Sequence, residues 1–298
     1  MFHTHAGESA ALAVAVFWTI TALAFESASK KVGSLPVNWI RLLVGFVFLS
    51  IFTLFYRGLP FPADAPPGAW LWLALSGMVG FVMGDLFLFR AFVLIGSRIS
   101  MLIMALAPPM TALMGRIFLH EKMSRLSILG MGLTLLGIAL VVLDRPTHES
   151  LVKFTHPATG IFLAFGGAVG QASGLILSKI GMAQYDPFAA TQIRILAGIL
   201  GFSVILTVLK AWPRTLAAAK NGPAMAHLTA GAFFGPFLGV SFSLIAIQHT
   251  KTGIASTIMA TVPVLIIPPA VIFLKEKITS REILGALVAV TGVAILFL

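Results

Sequence analysis

Ten apolar stretches, each long enough to cross a bilayer as a helix, follow one another with only short breaks between them. A helix needs roughly 20 apolar residues to cross the hydrocarbon core. Gly, Pro and charged residues divide the chain into spans at 10–29, 37–56, 69–92, 97–118, 125–143, 158–180, 187–209, 225–248, 253–273 and 280–298. Ten spans in 298 residues leave loops of a few residues, so consecutive helices are expected to be antiparallel neighbours. Backbone in lipid must satisfy its own hydrogen bonds, and the alternation of a β-barrel is absent. The expected fold is therefore an all-α polytopic membrane protein of ten transmembrane helices. Composition agrees: 58% of residues are apolar and 10% charged, where a soluble domain carries ~25% charged. A water-soluble enzyme and a disordered chain are both excluded. The chain has no Cys, which removes disulfides, thiolate metal sites and Cys nucleophiles. The formal charge of +10 fits loops and helix ends beside lipid head groups rather than nucleic acid. Met1 to Ser9 lacks Lys and Arg, so it offers no basic leader region and the first span is expected to be retained.

The longest polar stretch runs from Asp144 to Pro157 and divides the spans five and five. The expected organisation is a first repeat at 1–143, a linker at 144–157 and a second repeat at 158–298. Shifting the chain by 155 residues aligns 100–143 with 255–298, and 15 of 44 positions are identical. The matches include Pro108 with Pro263, Glu121-Lys122 with Glu276-Lys277, and Gly130 and Gly137 with Gly285 and Gly292. The same shift pairs Gly80 with Gly235 and Gly84 with Gly239, and a shift of 153 pairs Arg41 with Arg194. Five spans is an odd number, so the second copy enters the membrane from the opposite side. Inverted repeats of this kind are typical of secondary transporters.

Two segments carry a resemblance to a known family. The first is Ile103-Met104-Ala105-Leu106-Ala107-Pro108 followed by Phe118-Leu119-His120-Glu121-Lys122 and Gly130. The second is Ile258-Met259-Ala260-Thr261-Val262-Pro263 followed by Phe273-Leu274-Lys275-Glu276-Lys277 and Gly285. With the run from Gly84-Asp85 to Arg90-Ala91, they resemble the drug/metabolite transporter superfamily in its ten-helix form with two EamA domains. The resemblance implies a transporter of small metabolites, often amino acids or drugs and often moved outward, in the cell (inner) membrane. It supplies no established catalytic residue.

A charge near the bilayer centre costs ~2.5–3.5 kcal/mol on insertion scales, so intramembrane charges are candidates for function. Glu26, Arg41, Asp85 and Arg90 all fall in the half of the membrane away from the N-terminus, here side B. Arg194 falls toward the N-terminal side, side A. Glu26 and Asp85 are candidates for proton coupling or for binding a substrate amine, and Arg41 or Arg90 for pairing with a substrate carboxylate. The bland reading is ion pairing between helices. Trp18 and Gln171 occupy matching mid-span positions and are further cavity candidates. Pro108, Pro109, Pro263, Pro268 and Pro269 fall inside spans four and nine, where each removes a helical hydrogen bond. They are candidate breaks or hinges, or static kinks.

Seven His show no metal-ligand spacing, and no phosphate-binding loop is present. No cofactor, metal or nucleic acid is expected, and a monomer suffices because both repeats lie in one chain. The leading expectation is a secondary transporter, with protons as a possible coupling ion. A non-transporting scaffold or sensor and an intramembrane enzyme are the alternatives. Of the 20 Lys and Arg, 13 assign to side B and 7 to side A. The positive-inside rule then puts both termini outside the cytoplasm, whereas the resemblance implies cytoplasmic termini. The expectation here follows the resemblance.

Overall fold

The computed structural model describes residues 5–144, 157–274 and 279–298. Residues 145–156 of the expected linker lie outside the described residues. Among the described residues every regular element is helical. Nine helical stretches have the length and hydropathy to cross a membrane: Ala6–Ser29, Ser34–Arg57, Pro67–Leu88, Ser100–Phe118, Arg125–Leu143, Ala158–Met182, Pro187–Val208, Gly222–His249 and Thr252–Pro269. The tenth, Ser280–Leu296, has 17 residues, or ~26 Å of helix. These are spans 1 to 10. Their outer faces carry exposed Phe55, Phe162, Val208 and Leu287, an apolar surface that suits lipid and not water.

Helical backbone runs on from span 1 to Val32, and Gly33 alone parts it from span 2, at φ 86°, a backbone region open to glycine at no steric cost. A short helix, Trp212–Ala218, lies between spans 7 and 8, where apolar periodicity gives no sign of it. Helical backbone continues from Asp85 to Met104, across the expected loop between spans 3 and 4. Yet Gly80 and Met104 line one cavity, and a straight helix would part them by ~36 Å. The reversal therefore falls inside that helical stretch. The second copy reverses differently, through extended Thr250.

Packing follows the inverted repeat. Span 3 runs antiparallel to span 6: a methyl group on Gly170 would come 3.0 Å from Gly84 Cα, and one on Gly174 3.0 Å from Gly80 Cα. Ser76 and Ser178 hydrogen-bond across this contact at 2.7 Å. Span 8 meets span 1 in the same sense, with Gly235 against Thr21 and Gly239 against Trp18. Without a hydrophobic drive between helices in lipid, close backbone approach at small residues supplies much of the association. Spans 5 and 10 cross reciprocally. A methyl on Gly130 would come 2.9 Å from the Gly292 carbonyl, and one on Gly285 2.8 Å from the Gly137 carbonyl. A shift of 155 residues exchanges these two contacts, as a two-fold axis between the halves requires.

Two irregularities repeat with the same shift. Met78–Gly84 and Phe233–Gly239 are widened into π-helix. Helices end at Met104 and Met259, and the next begin at Ala107 and Val262. Pro108 and Pro263 sit in the first turn of these new helices, where a missing N–H has no helical partner to lose. Pro109 shares that turn with Pro108. Pro268 and Pro269 open a further helix, Ile267–Leu274.

Candidate functional site

A cavity of about 360 Å³ lies between the halves, a size that admits a small molecule. Both repeats build its wall. The π-helical segments contribute Gly80 and Phe81 from one half and Gly235 and Pro236 from the other. The broken helices contribute Met104, Ala105 and Pro108, opposite Met259, Ala260 and Pro263. At the breaks the backbone leaves its regular ladder, an arrangement tolerated at membrane depth only beside protein or a water-filled space, and π-helical turns are frequent at functional sites.

Most of the cavity is apolar, and among the described residues its charge is concentrated in three side chains. Arg41 of span 2 forms an ion pair with Asp85 of span 3 and lies over the Phe25 ring, 5.5 Å from its centroid. Arg194 of span 7 is 5% exposed. Its guanidinium lies over Phe81, 4.9 Å from the ring centroid. Its Nε has no hydrogen-bond partner, and among the described residues no carboxylate pairs with it. Stacking on a ring returns ~0.5–2 kcal/mol, less than the several kcal/mol that burying an ion costs. Among the described residues Arg194 is thus short of a counter-charge. The symmetry mate of Arg41 is Arg194, but the mate of Asp85 is Val240.

Trp18, Gln171, Arg41, Asp85 and Arg194 all line this cavity. A methyl on Gly239 would lie 2.6 Å from the Trp18 indole nitrogen, so span 8 leaves no room for a larger residue beside that ring. Arg90 is exposed and does not line the cavity. The Glu26 side chain lies outside the described residues. Pro109, Pro268 and Pro269 fall outside the lining. Ser243 and Ser256, which line the cavity toward side A, carry no sequence signal beyond being polar within apolar spans. The π-helical segments were visible in sequence only as the paired glycines 80/235 and 84/239.

Side A of the bundle is fastened by polar networks. Lys179 donates to Glu121 at 2.7 Å and to the Thr250 carbonyl at 2.9 Å. Thr252 donates to Glu121 through its backbone N–H and its hydroxyl, at 2.8 and 2.7 Å. The Thr250 hydroxyl donates to Glu8 at 2.5 Å. These bonds tie span 1, the loop after span 4, span 6 and the loop after span 8. A second network joins the loop after span 2 to the loop after span 6. Asp64 accepts from Arg57 at 2.6 Å and from Tyr185 at 2.8 Å. Burial works upward on the Asp64 carboxyl, but these donors outweigh it and hold it below the usual carboxylate range. Burial, and then the bond to Asp64, push the Tyr185 phenol up to about 12.

Among the described residues no three His, Asp or Glu gather as a metal site. Two inverted five-span halves, closed on one face around a shared cavity, define a multi-pass membrane protein built as a transporter. The chain belongs to the EamA-like transporter family, which it matches twice, over residues 5–143 and 158–298. It is similar to an uncharacterized transporter of Archaeoglobus fulgidus, 21% identical over 279 residues, 94% of each chain. A solved crystal structure is similar in fold, with a TM-score of 0.78 at 17% identity, covering 97% of this chain and 96% of the other.

Proposed function

We propose that the protein is a secondary transporter, acting as an exporter of a small metabolite of amino-acid or drug-like size, in the cell (inner) membrane. It works as a monomer by alternating access between its two inverted repeats. The observation that carries this reading is the cavity between the halves, built from symmetric π-helices and symmetric helix breaks and closed toward side A by ion pairs. Such breaks give each half a place to bend, and exchange of conformation between the halves would carry the cavity from one face to the other. Asp85, held by Arg41, and Glu26 are the candidate coupling groups, with protons as the coupling ion. A charged cavity of this volume speaks against a packed scaffold, and among the described residues no catalytic set lines it.

The test is solute counterflow in proteoliposomes with a panel of amino acids, amines and organic acids. Uptake of at least one class is expected, and no uptake of any class would sink the proposal. The double variant Glu26→Gln with Asp85→Asn is expected to remove the dependence of uptake on a pH gradient. Unchanged dependence would remove protons from the mechanism.

A further inference from the structure

We infer that Arg194 is the docking point for the acid group of the substrate, and that the substrate is a small organic monoanion with an apolar body. This rests on the transporter reading and narrows its substrate class. Three observations carry it. Arg194 is a nearly fully buried cation that lines the cavity with its Nε unpartnered. Arg41 and Asp85 neutralise one another at the cavity wall, so the described lining carries one net positive charge. The repeat supplies the internal control: where the first half places Asp85 against Arg41, the second half places Val240, which also lines the cavity. The second half keeps the guanidinium and leaves out its carboxylate.

A substrate carboxylate on Arg194 replaces that missing partner, in the charge-assisted and often bidentate geometry that guanidinium favours. A cation would add to the charge, and a zwitterion would leave it unchanged. The rest of the lining decides the substrate's other end. Phe81 stacks on the guanidinium, and Trp18, Met101, Met104 and Met259 present polarisable apolar surface.

The experiment measures thermal unfolding of the purified full-length protein with phenylacetate, benzoate, 4-methylvalerate, phenylalanine, phenethylamine or chloride. The wild type is expected to be stabilised by at least one monocarboxylate, with phenylalanine needing on the order of tenfold higher concentration and phenethylamine giving no shift. Arg194→Gln is expected to lose the response. Val240→Asp rebuilds the arrangement of the first half, so it is expected to lose the response while keeping or raising the unliganded midpoint. Should Arg194→Gln fail to fold, Val240→Asp decides. The inference is overturned if no monocarboxylate binds, if phenylalanine, phenethylamine or chloride matches the best monocarboxylate, or if the folded variants keep the response. Counterflow separates the two readings. Monocarboxylate binding without flux removes the transporter and keeps the anion site. Flux of amines unaffected by Arg194→Gln removes the anion site and keeps the transporter.

Discussion

Single residues set the chemistry of the side A network and of the cavity. Asp64 outside the membrane is stabilised as a carboxylate by Arg57 and Tyr185. Its depressed titration means this contribution is present at neutral pH and is lost as pH falls through its folded-state value. Asp64→Asn is therefore expected to lower the free energy of unfolding at pH 7 by less than ~1 kcal/mol for so exposed a pair, and to match the wild type in strong acid. Tyr185 runs the other way. Its phenol is neutral to higher pH in the fold than in the unfolded chain, so the contribution is present below about pH 10 and lost as pH rises toward about 12. Tyr185→Phe is expected to flatten the alkaline decline of the midpoint, and an unchanged decline would argue against this bond. Neither partner of this cluster stands out in the sequence, because Asp64 and Tyr185 lie 121 positions apart in loops of ordinary polarity. The intramembrane charges were more legible. Arg41, Asp85 and Arg194 announce themselves by their cost in lipid, yet only the fold shows which two are paired and which one is not.

Apolar length, with Gly, Pro and charged residues as dividers, makes the spans legible in the sequence but not most of their interiors. Seven residues of π-helix look no different in periodicity from seven of α-helix, and Met78–Gly84 contains no Pro to mark it. The break at Ala105–Leu106 is legible because Pro108 follows it. The reversal within Asp85–Met104 is legible too, since the loop expected at 93–96 falls inside it, but the helical backbone that runs through it is not. Packing at this scale makes a paired prediction. Gly130 and Gly285 face carbonyls of the partner helix at 2.9 and 2.8 Å from an added methyl. Gly130→Ala and Gly285→Ala are each expected to destabilise the bundle by about 1–3 kcal/mol, in nearly equal measure. Unfolding in graded detergent mixtures would check this, and a large inequality would count against the reciprocal crossing of spans 5 and 10.

For the molecule as a whole, the bond network of Glu121 and Lys179 is the clasp on side A. The chain has no Cys, so a single cysteine at Ser256, deep in the cavity, reports access cleanly. Adding Glu121→Gln is expected to speed its labelling from side A by an impermeant maleimide, roughly tenfold for a ~1.4 kcal/mol loss of closure. Unchanged labelling would show that the clasp does not hold the gate. Orientation belongs to this scale too: a reporter fused after Leu298 is expected to be active in the cytoplasm, and activity only outside would favour the charge count. The reciprocal contacts of spans 5 and 10 have one more consequence. A five-span chain able to insert either way round could meet its own copy through this same surface, but both members of such a dimer would be bound to one sequence. Any acid placed beside one arginine would appear beside the other. Joining the halves in a single chain lifts that constraint, and residue 240 is where the freedom shows: one side of the molecule can keep a guanidinium answered from within while the other leaves it for a visitor.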